Sequence, residues 1–498
     1  MRRDIRFAGY FSLIILAVFC SVTHADDRSN ARGMGMSFAS MVTSFGTDAF
    51  GVNPANFDLH FHYRTDTQVV KFKHEQKQHL PKWEFSIMSI GGSYGSDLSM
   101  DFYNNYLKYL SINRNTFTGL FTNIGDVLYF RQTVLPPTNT EVNYDFELKW
   151  LSINYSSPKL GSVNFTVSDK VGLNTDANGR DIYMPWDANN YQTSDSGKYN
   201  LVNLNLNQSE AIAWWLRDYK LSFAKNIDIG GKVFKSFAFG ISVGMVDGFG
   251  CVITYASSIL MNTYGVKSIN GANHVDSISG KKNFYTMTSL TDMFQDYRDG
   301  AKSHYDFFPR PAGKGYSLDL GFNAKIGNFR IAASVTDIGS ITWNYNTIKD
   351  RDTNSFIYRN FFLNSSDPTY NAFVNDLDGF NYRETNITFS TSLPTTYRAG
   401  IAYQPNNKFV VEFNWVKGDN SFPTTISKSL YSAGTEIYIT DFLPIRGGFS
   451  VGGMESWTVS LGTGLRLRNI VLDFGAGSVN NLISNKRLSL AFSTKIFL

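Results

Sequence analysis

Two stretches of this chain have the spacing of a serine nucleophile, Gly240-Ile-Ser-Val-Gly244 and Gly448-Phe-Ser-Val-Gly452. In a hydrolase, Gly-x-Ser-x-Gly sets the serine on a strained turn between a strand and a helix. Both matches here sit inside runs that alternate apolar and polar residues, so their glycines and serines read as the small residues of one strand face. His60 and His62 would share a face if that stretch is a strand, and His74 and His79 follow nearby. A metal site needs further ligands, and neither a cysteine nor a tight carboxylate cluster completes this one. Gly33-Met-Gly35 lacks the preceding strand and following helix of a nucleotide-binding loop. The chemistry-bearing residues therefore point away from an enzyme, and the sequence calls for no catalytic residue, metal or cofactor.

The elements that carry these residues are strands. From Tyr316, the residues Leu318, Leu320, Phe322, Ala324 and Ile326 share one face, and Ser317, Asp319, Gly321, Asn323 and Lys325 share the other, a sustained period of two. Gly327-Asn328 then predicts a tight turn, and Phe329, Ile331, Ala333 and Val335 resume the apolar face, which makes a hairpin. The pattern returns at Tyr397 to Tyr403, at Phe409 to Trp415, at Trp457 to Leu467 and at Leu488 to Ile496. Strands of about ten residues have the length that crosses an outer membrane at a tilt. Connections are lopsided, tight turns alternating with long loops near 97–140, 259–314 and 340–395, which favours a transmembrane barrel over a two-layer sandwich. Tyr316, Trp343, Tyr345, Tyr397, Tyr403, Trp415 and Trp457 lie near strand ends and are expected in interfacial girdles. The last strand ends near an aromatic, a form that resembles the signal by which outer-membrane barrels are recognised for assembly.

Composition agrees. The 498 residues are 15% aromatic, with 41 Gly, 13 Pro and a formal net charge of +4. No basic run suggests nucleic acid. After the N-terminus no apolar run is long enough to span a bilayer as a helix, whereas a barrel hides its apolar face within half-polar sequence. Residues 1–25 read as a signal peptide: Arg2, Arg3 and Arg6 precede a short apolar core, and Thr23-His24-Ala25 offers a cleavage site. Cys20 lacks the small residues that precede a lipidated cysteine, and its removal leaves Cys251 alone, so no intrachain disulfide can form.

The expected architecture is all-β: a transmembrane antiparallel barrel of about fourteen strands with an N-terminal plug and long extracellular loops. Residues 26–60 form the plug, or hatch, and 61–498 the barrel. Counting back from the C-terminus makes both 160–168 and 216–227 run outward, so Lys198 to Asn207 is expected as an intervening strand. Residues Asp97 to Leu128 have helical spacing and suggest two helices near the barrel mouth.

The plug has its own reading. Gly33, Gly35, Ala39 and Gly46 keep a lumen segment slim, Pro54 holds Asn53 extended, and Met34, Met36, Phe38, Met41, Phe45 and Phe50 offer an adaptable apolar lining. These residues either contact a greasy ligand or fill the lumen. The candidate hatch and ligand-binding set is Gly33, Met34, Gly35, Phe38, Met41, Phe45, Asn53, Pro54 and Ala55.

Arg32-Gly-Met-Gly35, the Asp48-Ala49 pair and Asn53-Pro-Ala55 resemble the N-terminal hatch of the FadL-type long-chain fatty-acid transporter superfamily, which includes aromatic-hydrocarbon transporters and PorV-like proteins. Gly315-Tyr-Ser-Leu-Asp-Leu-Gly321, Ala333 to Trp343, Leu393-Pro-Thr-Thr-Tyr-Arg-Ala-Gly-Ile-Ala-Tyr403 and Leu443 to Phe449 carry the likeness along the chain. Departures occur at Met36-Ser37-Phe38, where Gly-Gly-Ala is expected, and at Gly51-Val52, where an aromatic is expected. The resemblance implies a bacterial outer-membrane channel that takes up a hydrophobic small molecule such as a fatty acid. Its PorV-like branch implies an alternative, a barrel scaffold or attachment component of a secretion or surface-assembly system. The partners implied are outer-membrane lipid, the hydrophobic small molecule, the barrel-assembly machinery and, in the alternative, secretion-system partners.

Overall fold

A computed structural model of the chain describes residues 28–59, 82–96, 139–178, 200–205 and 209–498, the last span without 232, 270–271, 295–305, 307, 363, 365, 379–380, 407, 420–421, 424–427, 454, 468 and 480–486. The signal peptide, the four histidines at 60–79 and the two helices expected within 97–128 lie outside the described residues.

The strands are β1 (Trp83–Ser96), β2 (Asn139–Ser157), β3 (Gly161–Asn178), β4 (Asn200–Asn205), β5 (Ser209–Asp228), β6 (Phe234–Ile269), β7 (Ala272–Leu290), β8 (Gly313–Ile326), β9 (Phe329–Trp343), β10 (Thr347–Asp352), β11 (Ser355–Phe362), β12 (Tyr382–Thr385), β13 (Phe389–Ser392), β14 (Thr396–Asn406), β15 (Phe409–Gly418), β16 (Leu430–Thr440), β17 (Leu443–Gly452), β18 (Glu455–Arg466), β19 (Ile470–Gly477) and β20 (Arg487–Phe497). Each stave pairs antiparallel with the next and β20 returns to β1, so fourteen strands close into a barrel. The staves are β1–β3, β5, β6, β8, β9 and β14–β20. Closure satisfies every strand edge, which an apolar exterior demands.

The expected extra stave is corrected. β3 pairs directly with β5, Ser162 opposite Ala224 through Asp176 opposite Glu210, so 216–227 runs back toward the turn end and no strand intervenes. β4 instead joins the outer half of β6. Two of the long loops also hold ordered strands. β6 runs for 36 residues; its first half pairs with β8, and its second half leaves the barrel as a hairpin with β7. Both β10 and β11 add to β7, and β12 to β10, so an accessory sheet stands beyond the barrel mouth. The helix Pro368–Asp378 packs Phe373 against Phe356, Tyr358 and Phe361 of β11, and Tyr358 donates to Asp376 at 2.5 Å.

Tight turns gather at the end that holds Trp83 and Leu498, whose backbones bond each other. At that end Gly327 supplies the left-handed φ of +59° that the two-residue β8–β9 turn requires. The barrel exterior is apolar from this end to a row two residues above Tyr316. Leu320, Phe322, Ile331, Ile401, Phe413, Leu461 and Phe474 are exposed there, with Tyr316 77% and Leu320 44% accessible. Residues 316 to 326 of β8 cover about 25 Å at about 3.3 Å per residue and a tilt of about 40°. The belt ends where Asp169, Arg217, Asp247 and Lys314 stand opposite one another on β3, β5, β6 and β8. Arg217 grips Asp169 at 2.6 Å, and Trp150 donates to the same carboxylate at 3.0 Å.

Above this row the inward face changes from polar to apolar. On β5 the inward residues Ser222, Lys220 and Asp218 give way to Leu216, Trp214 and Ile212, all buried. Phe249 of β6 is an extra, bulged residue between Gly248 and Gly250, opposite Leu216 and Trp215. The lower barrel is thus polar inside and apolar outside, whereas its outer end has an apolar interior. Of the expected girdle, Tyr316, Tyr397, Tyr403 and Trp457 face outward. Trp343 does not: it is fully buried inside the outer end, where its indole donates to Thr391 at 2.9 Å.

Candidate functional site

The interior has three layers. In the lowest, residues 28–59 fold into the lumen as a short helix, Ala31–Gly35, and two 3-10 turns, Gly46–Ala49 and Pro54–Asp58. Nearly every residue of this plug is buried. Asn30 caps the helix by accepting from Gly33 N at 2.9 Å, and Asn53 caps the second turn by accepting from Ala55 N at 3.1 Å, with Pro54 at its first position.

Wall side chains reach the plug from nearly every direction. Glu412 accepts from Val42 N at 2.6 Å and from both the amide and hydroxyl of Thr43. Glu147 accepts from Ser29 N, Asn154 donates to Phe57 O, and Asp58 accepts from Ser162 at 2.6 Å. Asn323 donates to Val42 O at 2.8 Å, Ser334 to Val52 O at 2.6 Å and Asn414 to Phe38 O at 3.1 Å. A chain of buried charge runs from Arg32 through Glu436 (3.2 Å) to Arg446 (2.5 Å) and Asp473 (2.7 Å). Such a chain is tolerable inside the barrel only because each charge meets an opposite one.

The plug also packs backbone against backbone. A Cβ at Gly240 would lie 2.2 Å from the carbonyl carbon of Pro54, and one at Gly448 equally close to that of Met36. These are the first glycines of the two Gly-x-Ser-x-Gly stretches. Their serines, Ser242 and Ser450, hydrogen-bond other hydroxyls on neighbouring staves, Ser222 and Thr458. The motifs are therefore seats for the plug.

Over the plug lies a second layer of charge. Lys220 meets Asp319 at 2.9 Å and Asp337 at 2.5 Å, and Lys170 meets Asp337 at 3.0 Å and Asp218 at 3.1 Å. Asp337 has φ of +57°, unusual for a side-chain-bearing residue, at the irregular register between β8 and β9. The third layer is the apolar outer interior, where Ile212, Trp214, Leu216, Cys251, Ile341 and Trp343 pack together. Phe422, from the β15–β16 connection, folds in and stacks on Trp214 at 5.0 Å and 9°.

All nine expected hatch residues lie in the plug, but they do not share one surface. Met34 packs with Ala491 of β20, Met41 with Ala332, Ala402 and Val410, and Phe45 and Ala55 with Ala238. Phe38 receives Arg28 over its ring at 4.9 Å, and the amide of Asn53 donates to Phe322 O at 3.1 Å. Sequence reasoning missed the outer apolar layer and the wall carboxylates that hold the plug. Glu412 and Glu436 did carry a signal, since each is an acid on the face opposite the apolar residues of its strand.

Residues 92–476 match a family described as a family of unknown function, DUF5723. The chain belongs to that family. The match runs from within β1 into β19 and leaves the plug outside it. No protein of curated function matches the chain. Among solved structures, a deletion mutant of the TodX monoaromatic hydrocarbon channel is similar at 10% identity and a TM-score of 0.45, over 95% of this chain and 98% of that one. The toluene transporter TodX of Pseudomonas putida is similar at 9% identity and a TM-score of 0.38, over 96% and 98%. A mutant porin of Rh. blastica is similar at 9% identity and a TM-score of 0.20, over 57% and 92%. Likeness of this degree carries no argument about what passes through the barrel.

Proposed function

We propose that this protein resides in a bacterial outer membrane and admits a hydrophobic small molecule, such as a fatty acid, that is first held in the apolar outer layer and then passes inward when the plug shifts. The apolar interior above a polar, plugged lumen carries this reading. Side chains such as Trp214, Trp343 and Phe422 would recognise a greasy solute by area and shape alone, with no metal or cofactor. The charge layer and the plug below would keep the path closed to ions in the resting state. The nine hatch residues then act as a seal, and they meet the ligand only when displaced. The about 25 Å apolar belt, bounded outside by Tyr316, Tyr397 and Trp457, fits an outer membrane.

Two experiments test this. Native mass spectrometry of the purified protein should find a bound acyl or hydrocarbon species, lost on Trp214→Asp; a protein free of such ligand on gentle extraction speaks against capture. A disulfide between Ser37→Cys and Ser460→Cys, whose hydroxyls are 2.8 Å apart, would fix the plug. It should stop uptake of a hydrophobic solute, with recovery on reduction.

A second reading has its own support. The plug is held by wall side chains on most staves, and an accessory sheet projects beyond the barrel mouth, as a scaffold or attachment component of a secretion or surface-assembly system would require. Under that reading the Ser37–Ser460 crosslink leaves the biological role intact.

A further inference from the structure

The barrel closes where its first and last staves meet, and this seam is built differently from its neighbours. β19 pairs with β20 without interruption from Ile470 opposite Ile496 to Gly477 opposite Ser489. Between β1 and β20 the register shifts by one residue between Phe85 and Ile90. Met88, within this gap, has φ of +53°. Side-chain hydroxyls stand in for the ladder: Thr494 donates to Ile87 O at 2.6 Å, Ser89 accepts from Thr494 N at 3.2 Å, and Ser86 and Ser89 lie 2.9 Å apart.

The plug sits on both sides of this gap. Below it, Thr47 donates its amide (2.9 Å) and hydroxyl (2.8 Å) to Glu84 of β1, while the next residue, Asp48, accepts from Lys495 of β20. The Phe45 ring lies 4.6 Å from the same ammonium. Above the gap, Arg28 O rests where a Cβ of Gly91 would be, at 1.8 Å, and Ala31 and Met34 pack on Ala491. Two adjacent plug residues thus hold two strands that are first and last in the barrel, at the place where their own pairing is interrupted.

We infer that the plug is a staple for the closing seam: through Thr47–Glu84 and Asp48–Lys495 it holds β1 to β20, so that closure of the barrel depends on residues N-terminal to it. This goes beyond the transport reading and holds whether or not a ligand passes.

The test compares full-length variants by the temperature at which the compact, detergent-resistant form is lost on gels. Asp48→Asn with Lys495→Met removes the staple, and Glu412→Gln weakens a plug anchor on β15 away from the seam. Each is made with and without a cross-seam disulfide, Ser93→Cys with Ser489→Cys, which are register partners. The staple variant should lose its compact form several degrees below the parent, and the disulfide should restore it. The Glu412→Gln protein should gain no more from the disulfide than the parent does. Equal recovery of both variants, or failure of a formed disulfide to rescue the staple variant, overturns the inference. Should the double variant not assemble, Asp48→Asn alone is read in the same way.

Discussion

Gly46 meets two requirements at once. Its φ is +53°, and a Cβ there would lie 1.8 Å from a Glu84 carboxylate oxygen. The left-handed conformation alone costs a side-chain-bearing residue about 1–2 kcal/mol, so Gly46→Ala should lower the temperature at which the compact form is lost, whereas Gly230→Ala, with nothing within 4 Å, pays only the backbone part. Glu436 is the other sensitive residue, because Arg32, Arg446 and Arg466 share it. Glu436→Gln strands buried positive charge and should cost about 3–5 kcal/mol, visible as reduced yield of the folded barrel. On the opposite surface, Leu320 is near the middle of the apolar belt, where an arginine costs roughly 2–4 kcal/mol. Leu320→Arg should impair assembly far more than Leu320→Ala, whereas Asn323 faces the lumen and holds the plug; equal tolerance of the two Leu320 variants would mean that this belt does not meet lipid. The facing of these two residues was legible in the period of two from Tyr316. The pairing of Arg32 with Glu436 was not, because no local pattern joins residues that far apart in sequence.

At the scale of elements, what the sequence displayed depended on contrast between faces. β8, β9 and β14–β20 alternate cleanly because one face meets an apolar surrounding and the other a polar lumen. β7 mixes apolar residues such as Val275, Ile278, Phe284 and Met287 with polar ones at no sustained period of two, since it stands beyond the barrel and outside the apolar belt, and it reads as a loop. The outer half of β5, Ala211-Ile-Ala-Trp-Trp-Leu216, is apolar on both faces, which hides the change of the inward face from polar to apolar. The expected extra stave at 198–207 followed from assigning β5 the wrong direction. The accessory sheet carries a prediction of its own. Burial and the bond to Asp376 push the Tyr358 phenol up to about 12. A group raised in the folded state stabilises it fully below its unfolded value, about 10, and that contribution is lost as pH rises toward 12. Limited proteolysis should therefore find the helix Pro368–Asp378 more easily cut between pH 10 and 12. Tyr358→Phe should make it equally cleavable at neutral pH, with barrel heat-modifiability unchanged.

For the whole molecule, the plug is expected to decide whether the lumen conducts. With residues 28–58 deleted and the seam held by the Ser93–Ser489 disulfide, planar-bilayer recordings should show a steady ion conductance that the parent protein lacks, because the wall facing the plug is polar and would fill with water. A silent deletion variant would mean that the charge layer of Lys170, Lys220 and their aspartates seals the lumen alone.

β6 has a mechanical meaning. It is a single strand of 36 residues, on the order of 120 Å of extended backbone at about 3.3 Å per residue. One end stands beyond the barrel mouth, and Gly240, near the other, carries the carbonyl of Pro54 in the plug. An extended strand is stiff along its length, so a pull on the outer hairpin has a direct line to the plug, with the bulge at Phe249 as a pivot against β5. The outer tip and the plug are thus joined by one continuous strand, as the two ends of a lever are.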